Sequence, residues 1–126
     1  MNLTPFRTSD APQPGGAYSQ ALAGAGIVAL AGQVGKDPTT GEFANDLEGQ
    51  VEQSIRNLQA VLTSAGTDLS AVIKTTCFVT DIADFDAFDA VYRRMFDEPY
   101  PARSTVAVGL KPGVLFEIEA WAILPS

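Results

Sequence analysis

The chain holds 126 residues, 46% of them hydrophobic and 18% charged, the balance of one globular domain and not of a disordered segment. Its 8 basic and 15 acidic residues leave a net charge of −7, and the basic ones are scattered, so no stripe exists to track a phosphate backbone. There is no histidine and one cysteine, Cys77, which removes histidine triads, internal disulfides and zinc sites built on nitrogen and sulfur. The first residues, Met1 to Arg7, have no long apolar run behind a basic segment, and no stretch approaches the roughly 20 apolar residues of a membrane span. One domain over residues 1–126, soluble and cytoplasmic, without a metal site, is expected.

In chain order, residues 10–16 read as a loop, because two prolines and two glycines interrupt any ladder. Residues 26–31 read as a short buried strand ended by Gly32. Residues 35–45, with Gly35, Pro38 and Gly41, read as a loop or hairpin turn. Leu47, Val51, Ile55, Leu58 and Leu62 recur at three- and four-residue spacing and predict a helix over 46–65. Asn45 and Glu48 form a candidate capping box at its start, and Gly66 stands where a left-handed cap is wanted.

Residues 71–79 are rich in β-branched side chains and predict a strand. A second helix is predicted over 84–97, with Phe85, Phe88, Val91, Tyr92, Met95 and Phe96 as its apolar face. Its acidic residues stand near the start and Arg93 and Arg94 near the end, as the helix dipole favours. Residues 103–108 and 114–123 predict two further strands around a turn at Lys111-Pro112-Gly113. Two helices on one face of a mixed sheet is the economical packing of this order. In the last strand Phe116, Ile118, Ala120 and Ala122 share one face, suited to the helices. Leu115, Glu117, Glu119, Trp121 and Ile123 share the other, suited to a subunit interface with a wet, charged pocket or to a solvated outer surface.

Five residues have chemistry within reach. Arg103, at the mouth of a strand, offers a planar fork that fits a carboxylate bidentately; on spacing alone, a solvated surface arginine is the better reading. Glu117 or Glu119, in a partly apolar pocket, would have a raised pKa and could hold or activate water; alone, either is also a cross-strand ion-pair partner. Tyr18 could bring a phenol hydroxyl to a pocket or simply pack. Gly32 allows a ligand close to the backbone, or marks a bulge. Cys77, centred in an apolar strand, reads as a buried structural thiol.

Several segments together resemble the Rid family, also called the YjgF family, with the older label endoribonuclease L-PSP. They are Gly16-Ala17-Tyr18-Ser19-Gln20-Ala21, Ala31-Gly32-Gln33, Asp37-Pro38-Thr39-Thr40-Gly41-Glu42, the helix residues Gln50, Gln53 and Asn57, Val72-Ile73-Lys74-Thr75-Thr76, Pro101-Ala102-Arg103-Ser104 and Glu117-Ile118-Glu119-Ala120. The resemblance runs from about residue 10 to residue 124. It implies a chorismate-mutase-like α+β fold and a homotrimer whose sheets face inward as a barrel, with active sites between subunits. It further implies a deaminase without cofactor, a hydrolase of the reactive 2-imino acids and enamines released by pyridoxal-phosphate enzymes, namely 2-aminoacrylate, 2-iminopropanoate and 2-iminobutanoate. The products would be 2-oxo acids and ammonia.

In that reading Arg103 clamps the substrate carboxylate, Glu117 orients water, and Tyr18 lines the pocket as a third catalytic residue. Gly32, Ala31, Asp89 and Thr105 stand beside the substrate. Ala31 replaces a family serine, Asp89 an asparagine, and Thr105 a cysteine found in some members. An aspartate there would repel a second carboxylate and welcome an amino or ammonium group. A pathway-specific enamine deaminase of the aminoacrylate or aminomuconate type, and a small-acid-binding trimer without catalysis, are the alternatives. Ribonuclease activity, attributed to relatives, fits poorly with the acidic charge and the missing histidine, and a holdase would need a large exposed apolar patch where the mixed face is destined for the trimer.

Overall fold

The computed structural model describes residues 2–125, so the outermost boundaries of the expected domain, 1 and 126, lie outside the described residues. Six strands and two α-helices follow one another: β1 (Thr4–Phe6), β2 (Ala21–Gly24), β3 (Ile27–Val34), α1 (Leu47–Ser64), β4 (Val72–Val79), α2 (Phe85–Met95), β5 (Ala102–Ala107) and β6 (Phe116–Ile123). They form one sheet in the order β1-β2-β3-β6-β4-β5. β4 and β5 run parallel and the remaining pairs antiparallel. A parallel pair needs a crossover, and α2 supplies it.

Both helices cover one face of this mixed sheet. The α1 stripe of Val51, Ile55, Leu58 and Leu62 is fully buried, as are Phe116, Ile118, Ala120 and Ala122 of β6. Phe88 and Tyr92 of α2 complete the core, with Phe88 packed on Phe116 at 5.1 Å between ring centroids. Phe96 is buried and Phe85 partly so. Gly66 has φ +81°, the left-handed geometry expected behind α1. Among the described residues no helix is long and apolar enough to cross a membrane.

Several expectations need correction. α1 starts at Leu47, and its cap is Asp46, whose Oδ1 accepts from the Gly49 amide at 2.8 Å; the Asn45–Glu48 box does not form. The strand expected over 26–31 runs on to Val34, and it is half-buried, with Ile27 exposed and Val28 inside. Gly32 does not end it: the β3–β6 register shifts between Leu30 and Gln33, so Ala31 and Gly32 sit in a bulge. α2 is shorter than 84–97, because one 3₁₀ turn at Ile82–Asp84 precedes it and Phe96 is already extended.

β1 and β2 have no counterpart in the sequence reading. Pro5 argues against a strand, yet β1 lies at the sheet edge, where a missing N–H is harmless. β2 is Ala-Leu-Ala-Gly, without β-branched residues. It is held by pairing to β3 through a two-residue turn with positive φ at Ala25 and Gly26.

Candidate functional site

The bulge in β3 exists where the backbone meets Glu117. A Cβ at position 32 would lie 2.9 Å from the Glu117 Cδ and overlap Oε2 outright. Glycine therefore lets the carboxylate rest against the main chain. Glu117, Gly32, Ala31 and Tyr18 line one cavity of about 920 Å³. Burial pushes the Glu117 pKa up, and the neighbouring Glu119 adds to that. The Tyr18 ring is half exposed, and its hydroxyl accepts from the Gly15 amide at 3.2 Å.

Buried amides hold the walls of this cavity. Gln20 donates through Nε2 to the Thr8 and Pro12 carbonyls at 3.1 and 2.9 Å and accepts from the Thr8 amide at 2.7 Å. Gln50 donates to the Ala44 and Gly113 carbonyls and accepts from the Leu115 amide at 2.8 Å. Asn57 donates to the carbonyls of Val34 and Lys36 at 3.0 and 2.8 Å. α1 thus anchors both loops, 35–45 and 109–115, that close the cavity. The sequence reading assigned these three residues no role. For Gln50 and Asn57 the signal was a polar side chain on or beside the apolar stripe of a helix, where burial demands partners.

Arg103 stands at the other end of the sheet. It pairs in register with Thr75, which is fully buried, so its side chain lies on the helix-covered face at the β5 edge. Its Cζ lies 4.7 Å from the Tyr92 ring centroid, 5.0 Å from Phe88 and 5.4 Å from Phe85. Its Nη1 donates to Asp89 Oδ1 at 2.7 Å, and Arg93 Nη2 donates to Asp89 Oδ2 at 2.9 Å. Burial opposes ionisation of Asp89, but the hydrogen bonds from the two arginines outweigh it and hold the carboxyl below its usual range. Asp89 is therefore the counterion of Arg103 within one chain. Arg103, Asp89, Tyr92, Arg93, Tyr100 and Pro101 line a second cavity of about 320 Å³.

Thr105 pairs with Cys77 on the same helix-covered face. Cys77 is buried, which pushes its thiol up to about 12, as befits a structural thiol. Burial likewise moves the Tyr92 hydroxyl to about 12, where it shares a 2.8 Å hydrogen bond with Thr75.

The two groups of residues do not meet within one chain. Glu117 alternates with the buried Phe116 and Ile118, so it lies on the face away from the helices, opposite to Arg103. Glu117 is on β6 and Arg103 on β5, and β4 lies between them. The face carrying Glu117 also exposes Leu22, Val106, Trp121 and Ile123, with Trp121 48% accessible.

One mixed sheet with two helices on one face is the α+β fold of the YjgF/L-PSP structures. RidA from the Antarctic bacterium Psychrobacter sp. PAMC 21119 is 36% identical, with a TM-score of 0.93 over 96% of this chain and 99% of that one. The family model for endoribonuclease L-PSP matches residues 8–124. The RutC family protein y4sK of Sinorhizobium fredii is 46% identical over 121 residues, 94% of this chain and 95% of its own length. Reactive Intermediate Deaminase A, chloroplastic, of Arabidopsis thaliana is 40% identical over 93% of this chain and 64% of its own length. The chain belongs to the Rid family.

Proposed function

We propose that this protein hydrolyses 2-imino acids and their enamine tautomers to 2-oxo acids and ammonia, in sites shared between subunits of a homotrimer. The observation that carries the reading is the seat of Glu117: a half-buried carboxylate without a counterion among the described residues, set against the Gly32 backbone in an open cavity. Such a group accepts a proton from water more readily than an ordinary carboxylate. The name of the Arabidopsis relative supports the same chemistry.

The roles follow from charge. Arg103 takes the substrate carboxylate on its fork and fixes the C2 atom. Glu117 receives a proton from water as the water oxygen bonds to C2 of the protonated imine and the C=N electron pair moves onto nitrogen, giving a neutral carbinolamine. Glu117 returns that proton to the amine, and then takes the hydroxyl proton as the C=O double bond forms, the C–N bond breaks and ammonia leaves. Tyr18 and the backbone at Ala31 and Gly32 bound the cavity in which this happens, and Thr105 stands near the Arg103 end. Imines hydrolyse in water unaided, so orientation and one proton acceptor suffice.

A second copy supplies what one chain lacks. Arg103 and Glu117 lie on opposite faces of a sheet, and the Glu117 face carries exposed apolar residues suited to burial against a neighbour. A trimer that covers this face brings the Arg103 end of one subunit to the Glu117 cavity of the next.

The test couples a serine or threonine dehydratase to the protein and follows the imine by semicarbazide trapping. Faster imine loss with wild type, absent in Arg103→Ala, supports the reading. No acceleration by wild type overturns it. Sedimentation velocity must show a trimer; a monomer at assay concentration overturns the shared site.

A further inference from the structure

The cavity around Glu117 holds polar groups that hydrolysis does not use. Among the described residues four carboxamides are buried, those of Gln20, Gln33, Gln50 and Asn57. Three of them bond to loop backbone. Gln33 is 5% accessible, and its carboxamide bonds to no described residue. No side-chain nitrogen or oxygen is sealed away without a partner, so the Gln33 amide reaches open space, and the space it lines is this cavity. A buried amide calls for a partner.

Lys36 and Lys111 line the same cavity, and both are exposed. The ion pairs among the described residues lie elsewhere, on Glu52 and Asp89, so neither ammonium is matched by a carboxylate. Asp37 and Glu42, the acids nearest to Lys36 in sequence, do not line the cavity, and Asp37 Oδ1 accepts from the Thr39 and Thr40 amides at 2.7 and 3.2 Å. Glu117 is the one carboxylate in the lining. At the Arg103 end, Asp89 is held by both Arg103 and Arg93, and these three groups together carry one positive charge.

The placement gives a direction. Gln33 pairs with Ile118, and Val34 with Glu117. Amide and carboxylate thus stand one residue apart along the strands, on the two faces of the sheet. The cavity joins them at the edge of β3, which β2 leaves uncovered beyond Leu30. A substrate whose C2 meets Glu117 can lay its side chain along this edge toward Gln33 and Lys36. The volume of about 920 Å³ suits a longer molecule than a four-carbon acid.

We propose that Gln33, Lys36 and Lys111 form a second acid-binding subsite, so that the preferred substrates are 2-imino acids with another carboxylate at the far end of the side chain. The inference rests on the Glu117 cavity as the place of reaction and on Arg103 as the clamp for the first carboxylate. Gln33 donates through Nε2 to the far carboxylate, and the two ammoniums select an acidic end over an apolar one.

2-Oxoglutarate and 2-oxopentanoate share a five-carbon chain, differ in the terminal carboxylate, and serve as probes in calorimetric titrations at low salt. Wild type should bind 2-oxoglutarate about tenfold more tightly. Lys36→Gln and Lys111→Gln, made together, should bring the ratio close to one without changing 2-oxopentanoate binding. Gln33→Met, close to isosteric, should weaken 2-oxoglutarate severalfold and 2-oxopentanoate not at all. Equal binding of the probes by wild type overturns the inference, as does a preference that survives the double lysine variant, or a Gln33→Met loss that is the same for both probes. The clamp stands in each of these cases if Arg103→Ala abolishes 2-oxopentanoate binding. Binding of neither probe by wild type overturns the clamp and this inference with it.

Discussion

The centre of the sheet and its β5 edge solve opposite electrostatic problems. At the central β3–β6 pair, a carboxylate is kept without a counterion against bare backbone, and its pKa rises. At the β5 edge, an arginine is supplied with a counterion and three aromatic rings. The first arrangement favours a group that exchanges protons. The second favours a group that holds its charge and its position. In the function proposed above, reactivity comes from withholding a partner, and binding geometry from supplying one.

Substitutions at each place separate these roles. The largest effect is expected at the binding end: Arg103→Ala removes a bidentate charge-assisted contact, about 4 kcal/mol or roughly a thousandfold in kcat/KM. Steady-state imine turnover measures it, and circular dichroism should show an unchanged fold. Glu117→Gln should lower kcat about a hundredfold while 2-oxo acid binding changes little. If Glu119→Gln shows that pattern instead, the water-holding role moves to the neighbouring residue.

Gly32→Ala tests the contact itself. The new Cβ must push the Glu117 carboxylate aside, and since that carboxylate is the end of a flexible side chain, the fold should survive while kcat falls about tenfold. Unchanged kcat would mean that the seat of Glu117 is irrelevant.

The pH dependence has a definite sign. Glu117 acts as a base only when ionised, so kcat/KM should fall as pH drops through its raised pKa. This limb lies above the ordinary carboxylate range and should vanish in Glu117→Gln. Because Glu119 contributes to the upward shift, Glu119→Gln should move the limb to lower pH. The stability linkage runs the same way. The folded state binds the Glu117 proton more tightly than the unfolded chain, so stability falls as pH rises from the unfolded pKa through the folded one. Glu117→Gln should remove that loss in thermal melts recorded across the window.

The smallest effect on chemistry and a clear one on stability is expected at Asn57. Asn57→Ala leaves the Val34 and Lys36 carbonyls without their side-chain donor, about 2 kcal/mol in all, read as a lower Tm.

Periodicity made the helices and the inner strands legible, because α1, α2, β4 and β6 each carry their own apolar pattern. β1 and β2 were illegible for the same reason: Thr-Pro-Phe and Ala-Leu-Ala-Gly carry no strand pattern, and only the pairing of β2 to β3 and of β1 to β2 makes them strands. The cap of α1 was missed by one residue, since Asn45 and Asp46 are both competent caps and loop geometry chooses between them. Arg103, Glu117, Gly32 and Tyr18 stood out by residue type and by resemblance. Their division into two groups on opposite faces did not.

What the sequence determined by itself was therefore local: the helical stripes, the alternation of β6, the absence of histidine, and the residue types that mark the Rid family. Tertiary structure decided which residues share a space. The strand order β6-β4-β5 sets Arg103 and Glu117 apart, and the bulge in β3 brings Gly32 onto Glu117. Such pairings join residues far apart in the chain, and a single sequence records no distance between them until the sheet has formed.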